Sequence, residues 1–432
     1  ISITSPTMCQ LSIRNVGPIK QADINIRKIT LVMGPQSSGK STIGKILCHC
    51  QWIEKRCYTN PIREITDKEN TFISSLIEYH RLDGYITPQS YIKYDGSYVS
   101  ILHHDGQTKI TQSHEPEDYL YPKLTYIPAE RNFAAVIPNV KKYNETNDLV
   151  LYFIYAFTTA RDFIRQADLG DILQRKITYS YDKKAEKEYV RDGEATLKLQ
   201  NASSGVQSLL PLYIVTSYVL DGVYKRIQPL SPEQKDQFAG LMQEFDRIKS
   251  FIRQIETPHD NLSPDDKQAL RNLIQQLDHN PMAPLLGEDL EGLKDRLSRR
   301  FFYKCSNIYI EEPEQNLFPD AQEKLLYWLI SHFNKNTRHS AYITTHSPYI
   351  LFALNNCVMG GLAGENIPED IKPRFLSYPA WISPQEVGIY EIHNGTLRTV
   401  QDTDGLLAKN YLNDAYSRNS SEYLAMLSYY DA

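Results

Sequence analysis

Ile29-Thr-Leu-Val-Met33 followed by Gly34-Pro35-Gln36-Ser37-Ser38-Gly39-Lys40-Ser41-Thr42 is the stretch on which the fold of this chain turns. The first five residues lack the polar alternation of a half-exposed strand, so they predict a strand buried on both faces, as in a parallel sheet. The next nine match the pattern G-x-x-x-x-G-K-[ST]. Glycines at both ends let the backbone curl until several N–H groups point inward. A helix that starts at the loop adds its positive dipole end. That helix is predicted from Gly39 to Cys57, with Ile43, Ile46, Leu47, Cys50, Ile53 and Cys57 as its apolar stripe. Strand, glycine loop and helix together form a cradle for phosphate.

Such a cradle with a lysine and a hydroxyl suits a nucleoside triphosphate with a divalent ion. Lys40 is expected to bridge the β- and γ-phosphates of ATP, and the Ser41 hydroxyl to ligate Mg²⁺. The same helix carries Cys48, His49, Cys50 and Cys57, a set that invites a zinc site. Helical geometry opposes it: Cys48 and Cys50 project about 200° apart. The set therefore reads as core.

The chain has 432 residues, enough for an α/β core carrying insertions. It has 47 Lys and Arg against 52 Asp and Glu, a formal net charge of −5, with a pI of about 6.2. Nothing in that balance advertises a polyanion partner, so any DNA contact must come from a local patch. Arg296, Arg299, Arg300 and Lys304, beside Phe301, Phe302 and Tyr303, are the candidate run. No stretch reaches about 18 consecutive apolar residues, so no membrane span is expected. No signal peptide is visible, and the six cysteines are scattered, so reduced thiols and a cytoplasmic location are expected. The sequence opens on Ile1, and Met8 is a candidate start.

Outward from the loop, strands are predicted over Cys9–Arg14 and Ala22–Arg27. Residues 85–111 alternate in polarity around Asp95-Gly96 and Asp105-Gly106, which are hairpin turns. Lys123–Ile127 reads as a buried strand and 145–175 as helical. Ile177–Tyr181 and Glu188–Leu199 read as strands with a turn at Asp192-Gly193. Residues 231–300 carry two amphipathic helices, the first starting at Ser231-Pro232 and the second at Ser263-Pro264. A helix is expected from Asp320, with Asp320 and Glu323 as a capping box. The tail holds a hairpin, Val387–Ile392 with Thr396–Val400, turning at Asn394-Gly395. Four regions follow: an N-terminal lobe 1–140, a helical region 141–230, a helical insert 231–300, and a C-terminal lobe 301–432.

Three further constellations carry chemistry. Ile308-Tyr-Ile-Glu311-Glu312-Pro313-Glu314 is an apolar strand ending in paired carboxylates. Glu311 stands where an acid holds Mg²⁺ through water, and Glu312 where a base takes a proton from attacking water. Ala202-Ser203-Ser204-Gly205 precedes an apolar helix containing Pro211; it reads as a plain N-cap or as an anion site. Thr344-Thr345-His346-Ser347-Pro348 places a histidine at the end of a buried strand, where ligands bind in open α/β sheets.

The order of these motifs resembles the ABC-type ATPases, in the branch with RecF, the SMC proteins and the OLD-family ATPases. Gly34–Thr42 looks like Walker A. Ser203-Ser204-Gly205 looks like the signature motif, with Ser204 in place of the usual first glycine. Glu311-Glu312 looks like Walker B with the catalytic glutamate, although the family more often has Asp first. Glu314–Phe318 falls where the D-loop belongs, and His346 looks like the switch histidine. Tyr126-Ile-Pro-Ala-Glu-Arg131 resembles a strand-end motif of the same bacterial ATPases. No Q-loop glutamine is placed; Glu130 or Arg131 stands nearest that role. Arg14 or Asn15 stands where SMC-like relatives contact the base.

The resemblance implies an α/β P-loop fold of ABC-ATPase type: a mixed core sheet flanked by helices, with an antiparallel part and a helical insert. It implies hydrolysis of ATP with Mg²⁺ between two head-to-tail copies, Ser203, Ser204 and Gly205 of one facing the loop of the other. It also implies service in DNA maintenance or antiphage defence. No nuclease-like or Toprim-like segment is recognised after the tail hairpin, so a partner protein, a nuclease among the candidates, is expected to carry the output. The alternative is a module that binds ATP without hydrolysing it and times a partner's assembly.

Overall fold

In chain order the strands are β1 (Gln10–Val16), β2 (Ile19–Asn25), β3 (Ile29–Met33), β4 (Tyr91–Asp95), β5 (Val99–His104), β6 (Gln107–Gln112), β7 (Pro122–Ile127), β8 (Gln166–Asp168), β9 (Ile177–Asp182), β10 (Lys187–Asp192), β11 (Ala195–Lys198), β12 (Cys305–Glu311), β13 (Ser340–Thr345), β14 (Val387–His393) and β15 (Thr396–Thr399). The longer helices are α1 (Lys40–Thr59), α2 (Thr71–His80), α3 (Leu149–Phe163), α4 (Ser204–Leu220), α5 (Pro319–Asn334), α6 (Pro348–Ala363) and α7 (Tyr411–Leu427). This computed structural model describes residues 9–59, 71–113, 119–137, 148–224, 303–427 and 429.

The chain divides into two units, residues 1–223 with 305–432, and residues 224–304. The second unit lies outside the described residues apart from Tyr224, Tyr303 and Lys304. The expected 231–300 insert and the basic run from Arg296 to Arg300 therefore lie outside them too.

Eleven strands form one sheet in the order β6-β5-β4-β1-β2-β15-β14-β3-β13-β12-β7. Its two halves obey different rules. The block β14-β3-β13-β12-β7 is parallel throughout. The block β6-β5-β4-β1-β2 is antiparallel. Strands β8 to β11 make a separate four-stranded antiparallel sheet.

Across the parallel block, one register row is Ile389, Leu31, Ile343, Ile310 and Ile127. Each is at most 1% exposed. They belong to the core that also takes Phe157 of α3, Leu209 of α4, Leu325 of α5 and Leu351 of α6. Truncating one of them to Ala would cost about 2–5 kcal/mol.

The next row, one residue back, points to the other face and is aromatic: Tyr126, Tyr309 and Tyr342 are register partners. Their hydroxyls are spent on fixing α1 and the acid turn. Tyr342 donates to the Lys40 carbonyl at 3.0 Å, Tyr309 to Gln51, and Tyr126 to Glu311. Helix α1 comes close enough that a Cβ on Gly44 would fall 2.7 Å from the Tyr342 ring. Its expected stripe, Ile43, Ile46, Leu47, Cys50, Ile53 and Cys57, is buried. His49 hydrogen-bonds the Phe72 carbonyl at 3.1 Å and Ser75, among aromatic neighbours.

Several expectations need correction. The helix expected over 145–175 ends at Phe163, because β8 leaves it to pair with β9. Helix α5 starts at Pro319 with Phe318 as N-cap, and the Asp320–Glu323 box makes no cap bond. The tail hairpin forms as expected, and its β14 lies directly against β3. Helix α4 continues through Pro211. With its extension to Tyr224 it is long and apolar enough to cross a membrane, yet most of it is buried inside the protein, as a core helix is.

Candidate functional site

Parallel strands have their carboxyl ends on one edge, and the chemistry collects there. β3 ends in the glycine loop, β13 in Thr345-His346, β12 in Glu311-Glu312, and β7 in Pro128–Arg131. β13, with its histidine, lies between the loop strand and the acid strand.

The loop needs its two glycines. A Cβ on Gly34 would fall 2.4 Å from the Ile392 carbonyl oxygen, and Gly39 has φ 103° with Ile19 against it. Gln36 and Ser37 are exposed, Pro35, Ser38 and Ser41 half-buried, and Gly34, Gly39, Lys40 and Thr42 buried. The Lys40 ammonium donates to the carbonyls of Gly34 at 3.0 Å and Pro35 at 2.9 Å. It also lies 3.1 Å from His346 Nε2. Burial lowers its pKa to about 8, against the opposing pull of Glu312, Glu314 and Glu311.

The three carboxylates differ. Glu311 is buried and accepts from the Tyr126 hydroxyl and the Ala129 amide. Burial pushes its pKa up, and the Tyr126 bond pulls it down. Glu312 has φ 43°, a conformation that turns the chain sharply after the strand. Its Oε1 lies 3.1 Å from His346 Nε2, and Gln315 donates to Oε2. The hydrogen bond from His346 holds Glu312 below the usual carboxylate range, hence charged. Glu314 accepts from Thr345 Oγ1 at 2.8 Å and the His346 amide at 2.7 Å. Burial raises its pKa, and its Oε2 is buried without a partner.

Lys40, His346 and Glu312 are thus brought together around one imidazole nitrogen. Ser203, Ser204 and Gly205 lie elsewhere. Among the described residues, no hydrogen bond or ion pair joins them to Gly34–Thr42. Ser203 is the N-cap of α4 without a side-chain cap bond, and it and Ser204 are exposed. Gly205 faces the Asn316 carbonyl, where a Cβ would fall at 2.9 Å.

The two positions expected to hold Mg²⁺ carry oxygen donors of the kind it takes. The Ser41 hydroxyl and the Glu311 carboxylate are hard oxygens, and Ser38 Oγ in the same loop is a buried orphan. Two residues of the strand-end motif gain contacts that the sequence does not give: Tyr126 holds Glu311, and Arg131 is fully buried among backbone carbonyls. The segment Tyr126-Ile-Pro-Ala-Glu-Arg131 was their signal.

The fold is mixed α/β, with a glycine loop between a buried parallel strand and a helix. Among solved structures, the chain is similar to a crystal structure of the SmcHead bound to the C-winged helix domain of ScpA. Identity there is 9% and TM-score 0.38, over 91% of this chain and 97% of that one. It is similar to the SMC head domain from Thermotoga maritima, with 10% identity, TM-score 0.35 and coverage of 91% and 98%. It is also similar to the recombination mediator protein RecF-ATPrS in the RecFOR pathway, with 8% identity, TM-score 0.28 and coverage of 91% and 98%. No family model matches the chain, and no curated protein does.

Proposed function

We propose that this chain hydrolyses ATP with Mg²⁺ between two head-to-tail copies, and that the resulting opening and closing gates a partner in DNA maintenance or antiphage defence. The carrying observation is the convergence of Lys40, His346 and Glu312, with both partners 3.1 Å from His346 Nε2. In this reading the backbone of Gly34–Ser41 and the Lys40 ammonium bind the phosphates. Mg²⁺ bound through Ser41 and Glu311 would neutralise charge on the β- and γ-oxygens. Glu312, already charged, accepts a proton from the attacking water. His346, which Glu314 fixes through its main chain, orients that water or the γ-phosphate.

The exposed hydroxyls of Ser203 and Ser204 support a binding surface completed by a second copy, since nothing within the described chain uses them. The pathway reading rests on the order of the motifs.

The test is the solution mass of Glu312→Gln with ATP and Mg²⁺, together with phosphate release. Slowed hydrolysis should trap a dimer, and the wild type should release phosphate. A monomeric Glu312→Gln sinks the paired site. Tight ATP binding without release by the wild type favours the non-hydrolysing timing module instead.

A further inference from the structure

Arg131 is fully buried, yet among the described residues no carboxylate oxygen hydrogen-bonds to it. Its guanidinium is spent on main chain. Nε donates to the Ser208 carbonyl at 3.0 Å, Nη1 to Glu311 at 2.8 Å and Pro128 at 3.4 Å, and Nη2 to Glu312 at 2.7 Å. Those carbonyls belong to three different pieces: the end of β7, the acid turn after β12, and the first turns of α4. Ser208 is tied a second time, because its Oγ accepts from Asn316 Nδ2 at 2.8 Å. Asn316 lies just beyond the acid turn, and its carbonyl abuts Gly205.

A buried guanidinium is a costly way to fill space. An apolar side chain of similar volume usually does as well or better for stability. Burial lowers the Arg131 pKa to about 10, while Glu314, Glu312, Glu311 and Glu130 oppose that shift. What only arginine supplies is a rigid planar fork of five N–H donors. Here the fork grips the carbonyls of both adjacent acids and, through Nε, the helix that carries Ser203.

We infer that Arg131 is a positioning residue that couples the Glu311–Glu312 turn to the Ser203 end of α4, so that the two shift as one body when ATP binds or is cleaved. This rests on the proposed ATPase reading. Arg131 touches no reacting atom; it acts through the main chain of Glu312 and Ser208. Asn316 and Ser208 form the second strap of the same link.

The experiment compares wild type, Arg131→Lys, Ser208→Ala and Asn316→Ala in the full chain. It measures kcat, ATP affinity, melting temperature and hydrogen exchange at residues 204–208 with and without ATP and Mg²⁺. A lysine has three N–H donors and no planar fork, so it cannot satisfy all four carbonyls. Arg131→Lys should fold and bind ATP within about threefold of wild type, with kcat lower by roughly 10- to 100-fold. It should also lose the ATP-dependent change in exchange at 204–208. Ser208→Ala and Asn316→Ala should each lower kcat by about three- to tenfold, with affinity unchanged.

Wild-type kcat in Arg131→Lys overturns the coupling. So does a loss of kcat that merely follows the loss of folded protein. If Arg131→Lys does not fold, the two single-strap variants decide, and unchanged kcat and exchange in both overturn it. Wild type without phosphate release defeats the ATPase reading and this inference with it. Hydrolysis that Glu312→Gln abolishes and Arg131→Lys leaves intact defeats the inference alone.

Discussion

The two halves of the large sheet bury ionisable groups in opposite ways. In the parallel half, Lys40, Glu311, Glu312, Glu314 and Arg131 gather at the carboxyl edge within reach of one another. In the antiparallel half, Glu54 of α1 sits 3% exposed, with no cation hydrogen-bonded to it among the described residues. It is held by the Tyr94 hydroxyl at 2.7 Å and by the amides of Tyr98 and Val99. A Cβ on Gly96 would collide with it. Burial lifts its pKa to about 7. The lesson is that burial alone does not mark a site. In one half opposite charges are set against each other at an edge open to a ligand. In the other a single acid is used as a hydrogen-bonding peg between helix and sheet.

Substitution tests that contrast most sharply at Lys40. Lys40→Ala should lower ATP turnover by at least about 10³-fold, through loss of charge stabilisation on the phosphates. Phosphate release measures it. Turnover within tenfold of wild type would show that the parallel edge is not the site. Glu54→Gln should leave turnover unchanged, because Glu54 serves packing only.

Stability against pH separates the halves further. Glu54 has a raised folded pKa, so the folded state holds its proton through a window in which the unfolded chain has lost it. Its contribution is present in full below the unfolded value of 4.5 and falls as pH rises to about 7. The loss is on the order of 3 kcal/mol. Glu312 has the opposite sign: its lowered pKa gives stability that is lost as pH falls. Denaturant midpoints between pH 4 and 8 should therefore show a smaller decline in Glu54→Gln than in wild type. Parallel pH profiles would remove the peg from the account.

A smaller effect belongs to Lys40 itself. In the proposed site the charged ammonium binds phosphate, and burial lowers its pKa to about 8. ATP affinity should hold below pH 8 and weaken by up to about tenfold per unit above it. Calorimetric titrations at pH 7 and 9 would show it. Equal affinities would mean that burial does not tune this lysine.

How much of this was legible follows the same division. The strand Ile29–Met33, the loop and the buried face of α1 could be read almost residue by residue, because local periodicity and glycine geometry dictate them. The hairpins at Asp95-Gly96 and Asp105-Gly106 were equally plain. What escaped depends on contacts distant in sequence. β14 seats itself beside β3 across more than half of the chain, and no local pattern encodes that. The strand β8 breaks a sequence that reads as helix, because pairing with β9 outweighs helical propensity. Pro319 sets the start of α5, where the Asp320–Glu323 spacing suggested a box. Helices α2, α6 and α7 are not among the elements that the sequence predicts. At the site, each acid and the histidine could be named from sequence, but their meeting at His346 Nε2 could not. Nor could the partners of Arg131, which are all backbone oxygens and leave no trace in residue identity.

The central claim is that Lys40, His346 and Glu312 form half of a site, and that Ser203 of a second copy completes it. The most direct measurement is phosphate release by Ser203→Arg, with ATP affinity measured on the same protein. Turnover should fall at least about 100-fold while the affinity of each chain for ATP stays near wild type, because the loop is untouched. Turnover equal to wild type would contradict it.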